Sequence, residues 1–207
     1  MDVLVVDYGA GNLTSVMKAL RAIGSSPVSG AGAEAIARAS AIVIPGVGHF
    51  SQTASIDERA RDATRAAIAR GVPVLGICLG LQWLFEGSDE APDIAGLAIF
   101  EGHCFHLGSD WGQTPPKVPH VGWNTVESVA RPSRLLEGIP SSSFAYFTHT
   151  YAAPVVGDTV ATTTHGAAFS AVVERGCVFG AQFHPEKSGD AGLRLLTNFV
   201  RIADGAR

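Results

Sequence analysis

The segment Pro73–Gln82 reads Pro-Val-Leu-Gly-Ile-Cys-Leu-Gly-Leu-Gln, and it decides how the rest of the chain is interpreted. Its apolar first half predicts a β-strand, and a helix-compatible segment, 81–86, follows the second glycine. A nucleophile between two glycines at a strand-to-helix junction is an elbow, with Cys78 where esterases carry serine. The turn forces its central residue into a strained backbone conformation, so positions 76 and 80 must be small.

Two interpretations of Cys78 are open at this point. At the tip of such a turn the thiol lies beside the first N–H groups of a helix, which favour the reactive thiolate. The alternative is a structural cysteine at the end of a core strand, because free cysteine is among the most buried residue types. The paired glycines favour a nucleophile. Cys104 and Cys177 lack such glycines, so we interpret both as structural.

The composition is that of a globular protein, and we expect one domain over residues 1–207. Hydrophobic residues make up 46% of the chain and charged residues 16%, which excludes a disordered chain. A net charge of −4 gives no basic footprint for nucleic acid or an anionic membrane. The longest apolar runs are strand-sized, and Met1–Asp7 is expected to be a strand, not a signal peptide. Three cysteines without a C-x-x-C motif indicate a reducing cytoplasm, with no metal or cofactor expected.

Apolar runs and helical patterns predict an α/β fold with an open, mixed, mostly parallel sheet and helices on both faces. Helices are expected after a cap at Asn12, from about 57 to 70, and from 189 to 203. We expect loops at 119–124, at the acidic 87–92 segment and in an irregular excursion at 106–119. Strands are expected at 3–6, 41–44, 74–77, 144–151, 159–163, 168–173 and 177–182.

Two glycine-rich loops follow predicted strands. Pro45–Phe50 leaves backbone N–H groups accessible at a strand's carboxyl end, where open α/β sheets collect ligands. Such a loop can supply an oxyanion-stabilising N–H, although a plain turn out of the sheet is the alternative. Tyr8–Asn12 matches neither a dinucleotide fingerprint nor a Walker A loop. It is interpreted as a β–α turn, with a surface facing a partner or substrate as the other possibility.

His184 and Glu186 supply the groups that a cysteine nucleophile requires. The residue before Pro185 is pushed toward extended geometry, and side chains two apart in an extended segment point to the same side. One short stretch therefore directs an imidazole and a carboxylate together. If it lies near the elbow, Cys78 attacks, His184 transfers the proton, and Glu186 fixes and stabilises the imidazole. A surface turn is the alternative for this motif when it is considered alone.

The chain resembles the class I, triad-type glutamine amidotransferases, and more narrowly the glutaminase subunits of imidazole glycerol phosphate synthases. Both class signatures are present, as Gly-Ile-Cys-Leu-Gly-Leu-Gln at 76–82 and Phe-His-Pro-Glu-Lys-Ser at 183–188. Leu81 stands where methionine is commoner, an apolar exchange. The narrower resemblance is carried by the blocks 7–12, 45–50, 119–124 and 146–151, so it covers nearly the whole chain.

The resemblance implies a flavodoxin-like sheet and a reaction in which a cysteine thioester forms on glutamine, ammonia is released and water frees glutamate. It implies that the N–H groups of Leu79 and of the Val47–Gly48 region hold the oxyanion, once the loop has reoriented. It also implies no cofactor. The positions that match glutamine-binding residues of the family are Gly46, Gln82, Glu90, Thr150 and Tyr151. For Glu90 this overrides the interpretation of its acidic loop as plain surface.

The resemblance further implies a partner. Ammonia released into neutral water becomes protonated and loses its nucleophilicity, so it needs a protected route. The implied partner is the (β/α)8-barrel cyclase subunit, which makes imidazole glycerol phosphate in histidine biosynthesis. The residues in blocks that resemble the docking face are Asn12, His120, Trp123, Tyr146 and Lys187.

Three alternatives are weighed against this interpretation. The glutaminase component of another amidotransferase, in pyridoxal phosphate or anthranilate synthesis, is disfavoured by the blocks at 119–124 and 149–151. A catalytically silent scaffold that only binds the barrel is disfavoured by the intact Cys78, His184 and Glu186. A cysteine hydrolase unrelated to amide nitrogen transfer is the remaining option.

Overall fold

The structure is a computed structural model that describes residues 1–108 and 116–205, so part of the predicted excursion at 106–119 lies outside the described residues. Within these ranges the chain forms five α-helices and twelve strands. The helices are α1 (Leu13–Ala22), α2 (Gly32–Arg38), α3 (Glu58–Ala69), α4 (Leu79–Trp83) and α5 (Gly189–Gly205). The strands are β1 (Asp2–Val6), β2 (Ser26–Gly30), β3 (Ile42–Ile44), β4 (Val74–Ile77), β5 (Gly87–Ser88), β6 (His103–His106), β7 (His120–Ser128), β8 (Ser143–His149), β9 (Tyr151–Ala152), β10 (Thr159–His165), β11 (Ala167–Arg175) and β12 (Val178–Ala181).

Nine of these strands form one mixed sheet, in the order β2-β1-β3-β4-β12-β11-β10-β7-β8. The first five pair in parallel, and the pairings from β12 to β8 are antiparallel. The small strands β5, β6 and β9 form a second sheet. The predicted α/β class with a mixed sheet is confirmed.

Helices cover both faces of the parallel strands because these strands are apolar on both sides. Val3 and Val5 of β1 belong to the core cluster that contains the buried residues of α1 and α5. Leu4 and Val6 belong to the opposite cluster, with the buried residues of α2 and α3. Successive β1 residues therefore face opposite helix layers, as the two-residue repeat of a strand requires.

The junction of the parallel and antiparallel halves sets the position of the functional groups. β4 and β12 are parallel neighbours in which Ile77 pairs with Ala181. Cys78 follows the first of these strands directly, and His184 follows the second by three residues. Since the carboxyl ends of parallel neighbours lie at one edge of the sheet, the predicted nucleophile and base meet there.

Several local predictions are wrong. The acidic segment 87–92 is not entirely a loop, because it begins with the short strand β5, which pairs with β6. Residues 119–124 do not form a loop, because β7 begins at His120 and pairs along its length with β8. The helix after the elbow begins at Leu79 and ends at Trp83, two residues earlier at its start and three at its end than expected. The segment 144–151 divides into β8 and β9 at Thr150.

No helix in the parts of the chain that the structure describes is both long enough and apolar enough to cross a membrane.

Candidate active site

Cys78 occupies the strained turn that the sequence predicts. It links β4 to α4 with a backbone φ of +52°, in a region that residues other than glycine seldom adopt. A side chain at Gly76 would lie 2.5 Å from the Gly80 carbonyl oxygen, and one at Gly80 would collide with the Ile44 carbonyl oxygen. Both obstacles are backbone atoms, so glycine is required at each position for α4 to lie this close to the sheet.

The Cys78 thiol is almost entirely buried, with 4% of the residue exposed. The Gln182 side-chain amide donates to its sulfur at 3.7 Å, and the Thr148 carbonyl oxygen lies 3.9 Å from the same atom. Gln182 also accepts from the Gln82 amide at 3.3 Å. The sequence reasoning missed Gln182, although its place at the end of a predicted strand, two residues before His184, was a usable signal.

His184 and Glu186 form the predicted imidazole–carboxylate pair. His184 Nδ1 and Glu186 Oε1 are 2.8 Å apart, and both side chains are at most 2% exposed. The expected extended path is wrong for Glu186, because residues 185–187 form a 3-10 turn that begins after an extended His184. The Ser188 hydroxyl stabilises this turn by donating to the His184 carbonyl at 2.7 Å and accepting from the Tyr146 N–H.

The other ring nitrogen of His184, Nε2, is buried and makes no hydrogen bond with the described residues. Burial opposes protonation of this ring, but attraction to Cys78 and the bond to Glu186 outweigh it and raise the pKa of His184 to about 10. Because Nε2 and the sulfur do not meet hydrogen-bond geometry, the influence of Cys78 is electrostatic. The site therefore favours a protonated His184 ring between Cys78 and Glu186.

The predicted oxyanion loop is in a conformation that occupies one of its proposed donors. The Leu79 N–H donates to the Gly46 carbonyl at 3.3 Å. Gly48 has a φ of +112°, and a side chain built at this position would collide with the end of the Gln52 side chain. An oxyanion can reach the Leu79 N–H only after the Gly46 carbonyl has turned away.

A cavity of about 250 Å³ opens beside the thiol. It brings together Cys78 and most of the predicted glutamine-binding and oxyanion positions. Gly46 does not line it, because this residue lies behind Leu79, and Val47 does not line it either. A larger open groove of about 630 Å³ contains neither a thiol nor an imidazole, so it offers no comparable chemistry. The residues that line the cavity are Gly48, Cys78, Leu79, Gln82, Glu90, Pro119, Thr148, His149, Thr150 and Tyr151.

Glu90 connects this cavity to the loop. Its carboxylate accepts from the Phe50 N–H at 2.7 Å, two residues beyond the end of the Pro45–Gly48 segment. Elsewhere in the lining of the cavity the Gln82 amide donates to the Tyr151 carbonyl at 2.7 Å. The cavity therefore offers the Glu90 carboxylate, a group that suits the ammonium of an amino acid.

A chain of neutral histidines lies behind the cavity. Tyr151 accepts from His149 Nδ1 at 2.9 Å, so His149 Nε2 accepts from His120 Nδ1 at 3.0 Å. Burial lowers the pKa of His149 to about 3, and burial with the nearby His165 lowers the pKa of His120 to about 4. Asn124 lies 3.2 Å from the remaining nitrogen of His120. This network connects β7 to the cavity wall.

The predicted docking residues divide into surface and buried positions. Trp123 is 57% exposed and packs edge-on against Tyr146, and the Lys187 ammonium lies over the Tyr146 ring. Asn12 is exposed and caps α1 by accepting from the Ser15 N–H. His120 differs, because it is 4% exposed and lies beneath this face instead of on it. Its hydrogen bonds to neighbouring polar side chains account for its burial.

Cys104 and Cys177 take no part in the site. The Cys104 thiol is buried against the Gln82 carbonyl, and the Cys177 thiol donates to the Ile68 carbonyl. Burial raises the pKa of both thiols, which disfavours their thiolates. Within residues 1–108 and 116–205, no group of three or more histidine, cysteine or carboxylate side chains is arranged to hold a metal ion.

Comparison with known proteins agrees with this geometry. A family model described as glutamine amidotransferase class-I matches residues 4–203. The imidazole glycerol phosphate synthase subunit HisH of Salinibacter ruber is 43% identical, over 96% of this chain and 93% of its own length. Subunits of the same name from Natronomonas pharaonis and Geobacillus kaustophilus are 44% and 42% identical, over 94% and 97% of their lengths.

Solved structures give the same fold. The crystal structure of a glutamine amidotransferase superimposes with a TM-score of 0.75 at 20% identity, covering 97% of this chain and 98% of that one. The structure of PurLQS from Thermotoga maritima gives a TM-score of 0.73 at 17% identity, with 97% of each chain covered.

Proposed function

The chain belongs to the class I glutamine amidotransferase family, and we infer that it is the glutaminase subunit of imidazole glycerol phosphate synthase. The observation that carries this inference is the Cys78 elbow beside a buried His184–Glu186 pair, in a chain whose HisH relatives match nearly its whole length. The alternative amidotransferases lose support because these relatives share one name.

Cys78 is the proposed nucleophile. Its thiolate attacks the side-chain amide carbon of glutamine, and the carbonyl oxygen becomes an oxyanion. The His184 imidazolium then gives its proton to the amide nitrogen, the carbon–nitrogen bond breaks, and ammonia leaves a thioester. His184 next accepts a proton from water, which attacks the thioester and releases glutamate and the thiolate. Glu186 orients the ring throughout and stabilises its cation.

The oxyanion-binding groups are proposed to be the N–H of Leu79 and one from Val47 or Gly48. In the structure the Gly46 carbonyl occupies the Leu79 donor, so catalysis requires the Pro45–Gly48 loop to reorient. Loss of a single oxyanion donor costs an enzyme about 10²- to 10³-fold in kcat. The chain alone is therefore expected to hydrolyse glutamine weakly.

The substrate is proposed to lie in the 250 Å³ cavity with its ammonium at Glu90. Gln82, Thr150 and Tyr151 are proposed to bind around its α-carboxylate and α-amino groups. Their position on the cavity wall supports these assignments, whereas Gly46 acts through the loop and not by contact.

The proposed partner is a (β/α)8-barrel cyclase that receives the ammonia. The exposed Trp123 packs edge-on against Tyr146, whose ring lies under the Lys187 ammonium. This supports a docking surface there, because large aromatic side chains dominate binding energies at interfaces. Asn12 extends this surface. We further propose that residues 1–207 form one domain and that the protein works in the cytoplasm, where its cysteines, all free, remain reduced.

The deciding experiment compares Cys78→Ser with a matched variant, Cys177→Ser, each assembled with the cyclase. Cys78→Ser should lower glutamine-dependent synthesis at least about 10³-fold, while synthesis supplied with ammonium salts continues. Cys177→Ser should retain both activities, because its thiol lies away from the cavity. Glutamine-dependent synthesis by the Cys78→Ser complex would refute the proposed nucleophile.

A further inference from the structure

The Tyr8 hydroxyl has no role in the resting structure. Tyr8 lies in the loop between β1 and α1, and its side-chain oxygen is buried without a hydrogen-bond partner among the described residues. Leaving a buried hydroxyl unpaired costs about 1–3 kcal/mol, and native proteins contain few such groups. The ring packs against two core clusters, but neither this packing nor the catalytic triad explains the hydroxyl.

The hydroxyl lies directly against the oxyanion loop. A side chain built at Gly46 would collide with the Tyr8 oxygen and would lie 2.8 Å from the Leu79 Cβ atom. Gly11, in the same loop as Tyr8, is also close, since a side chain built there would lie 3.2 Å from the Gly46 Cα atom. Gly46 therefore packs directly against the Tyr8–Gly11 loop.

The Gly46 carbonyl needs a second donor. It accepts from the Leu79 N–H in this structure, and the proposed mechanism requires that N–H to bind the oxyanion instead. A buried carbonyl that loses its partner is costly unless another donor receives it. The unpaired hydroxyl beside Gly46 is such a donor.

We propose that Tyr8 is a positioning residue whose hydroxyl receives the Gly46 carbonyl when the Pro45–Gly48 loop reorients, and so holds the loop in its catalytic conformation. The proposal rests on the proposed glutaminase function. It satisfies both groups at once, because the hydroxyl gains an acceptor in the same step in which the carbonyl loses the Leu79 N–H.

The ionisation of Tyr8 suits this role. Burial, and then the electrostatic influence of Cys78, raise the pKa of Tyr8 above its usual range. The hydroxyl therefore keeps its proton at any pH at which a thiolate enzyme works, and only a protonated hydroxyl can donate to a carbonyl.

The test compares Tyr8→Phe with the wild type, both assembled with the cyclase and its ribonucleotide substrate. We expect kcat for glutamine hydrolysis to fall about 3- to 12-fold, the effect of one neutral hydrogen bond. The KM for glutamine and ammonium-dependent synthesis should remain within about twofold. The thermal midpoint of unfolding should not fall, because the deleted hydroxyl has no partner in the resting structure.

Iodoacetamide provides the control for the nucleophile, since alkylation needs the thiolate but no oxyanion hole. Its rate with Cys78 should be the same in both proteins. An unchanged kcat would overturn the proposal and leave the neighbouring N–H of Gly80, also close to Gly46, as the receiving donor. A fall in kcat accompanied by a lower unfolding midpoint or slower alkylation would also overturn it, in favour of a structural role. Failure of the glutaminase function itself would be seen separately, as an active Cys78→Ser complex.

Discussion

The elbow around Cys78 and the loop Pro45–Gly48 form two sides of one site, and they are constrained very differently. In the elbow, any side chain at Gly76 or Gly80 would meet backbone atoms of neighbouring elements. In the loop, Gly46 is confined by Tyr8 and Leu79, but a side chain at Gly48 would first meet the flexible end of Gln52. Backbone contacts cannot yield without moving a strand or helix, whereas a side-chain end can turn away.

Because of this difference, the elbow side of the site is already arranged for the proposed catalysis, whereas the loop side is not. The groups proposed as nucleophile, base and orienter adjoin one another, with His184 Nδ1 already 2.8 Å from Glu186. The Leu79 N–H, in contrast, is already bound to the Gly46 carbonyl. A loop with two alternative sets of hydrogen bonds can be switched by a small difference in free energy. Control of the enzyme is therefore expected to act on the loop and not on the thiol.

The largest effect should come from a change in the elbow. Gly80→Ala places a methyl group against the Ile44 carbonyl, so α4 must move off the sheet. We expect the free energy of unfolding to fall by about 3 kcal/mol or more, with loss of glutaminase activity. Urea unfolding followed by circular dichroism measures the first effect.

Gly157→Ala is the matched control for that substitution. Nothing lies within 4 Å of a side chain built at Gly157, so the same chemical change should alter stability by less than about 0.5 kcal/mol. If Gly80→Ala were as stable as this control, the elbow would be as adaptable as the loop, and the contrast between the two regions would not hold.

A smaller effect is expected where the cavity meets the loop. Glu90→Gln keeps an oxygen that can accept from the Phe50 N–H but removes the charge proposed to bind the substrate ammonium. We expect the KM for glutamine to rise about 10- to 100-fold, the cost of a lost charged hydrogen bond, with little change in kcat. Steady-state glutamate release in the cyclase complex measures both constants.

Asp89→Asn provides the comparison for Glu90, because it neutralises an exposed carboxylate one residue away. Its KM should remain within about twofold of the wild type. Equal effects of the two substitutions would mean that general electrostatics, and not contact with Glu90, attracts the substrate. A fall in kcat alone with Glu90→Gln would instead assign this residue to holding the loop.

The parts of the molecule that were predictable are those in which one local pattern determines the structure. The apolar runs of β1, β3 and β4 and the flanked Cys78 needed no tertiary information. β2 and α2 were not predicted, because β2 is an edge strand with a single fully buried residue and α2 buries only Ile36. Elements with so few core contacts leave little hydrophobic pattern in the sequence.

Other features depended on contacts between distant segments. β7 contains Gly122 and follows Pro119, which locally favour a loop, yet its pairing with β8 determines the structure. His120 follows the same rule, since its burial comes from His149 and Asn124 and not from its neighbours in the sequence. The direction of the Gly46 carbonyl depends on one hydrogen bond to Leu79, which no residue pattern encodes.

The smallest expected effect comes from the Pro45–Gly48 loop. It tests whether backbone conformation or steric contact holds this loop in its resting conformation. Gly48→Ala introduces a side chain at φ of +112°, a conformation that costs other residues about 1–2 kcal/mol, and brings it against Gln52. We expect urea unfolding to show a free energy of unfolding that is lower by this amount, a smaller decrease than for Gly80→Ala. In a Gln52→Ala background the loss should persist within about 0.5 kcal/mol, because the Gln52 side chain can move aside at little cost. Recovery in that background would mean that steric contact, and not backbone conformation, holds the loop at rest, and the loop would then differ from the elbow only in degree.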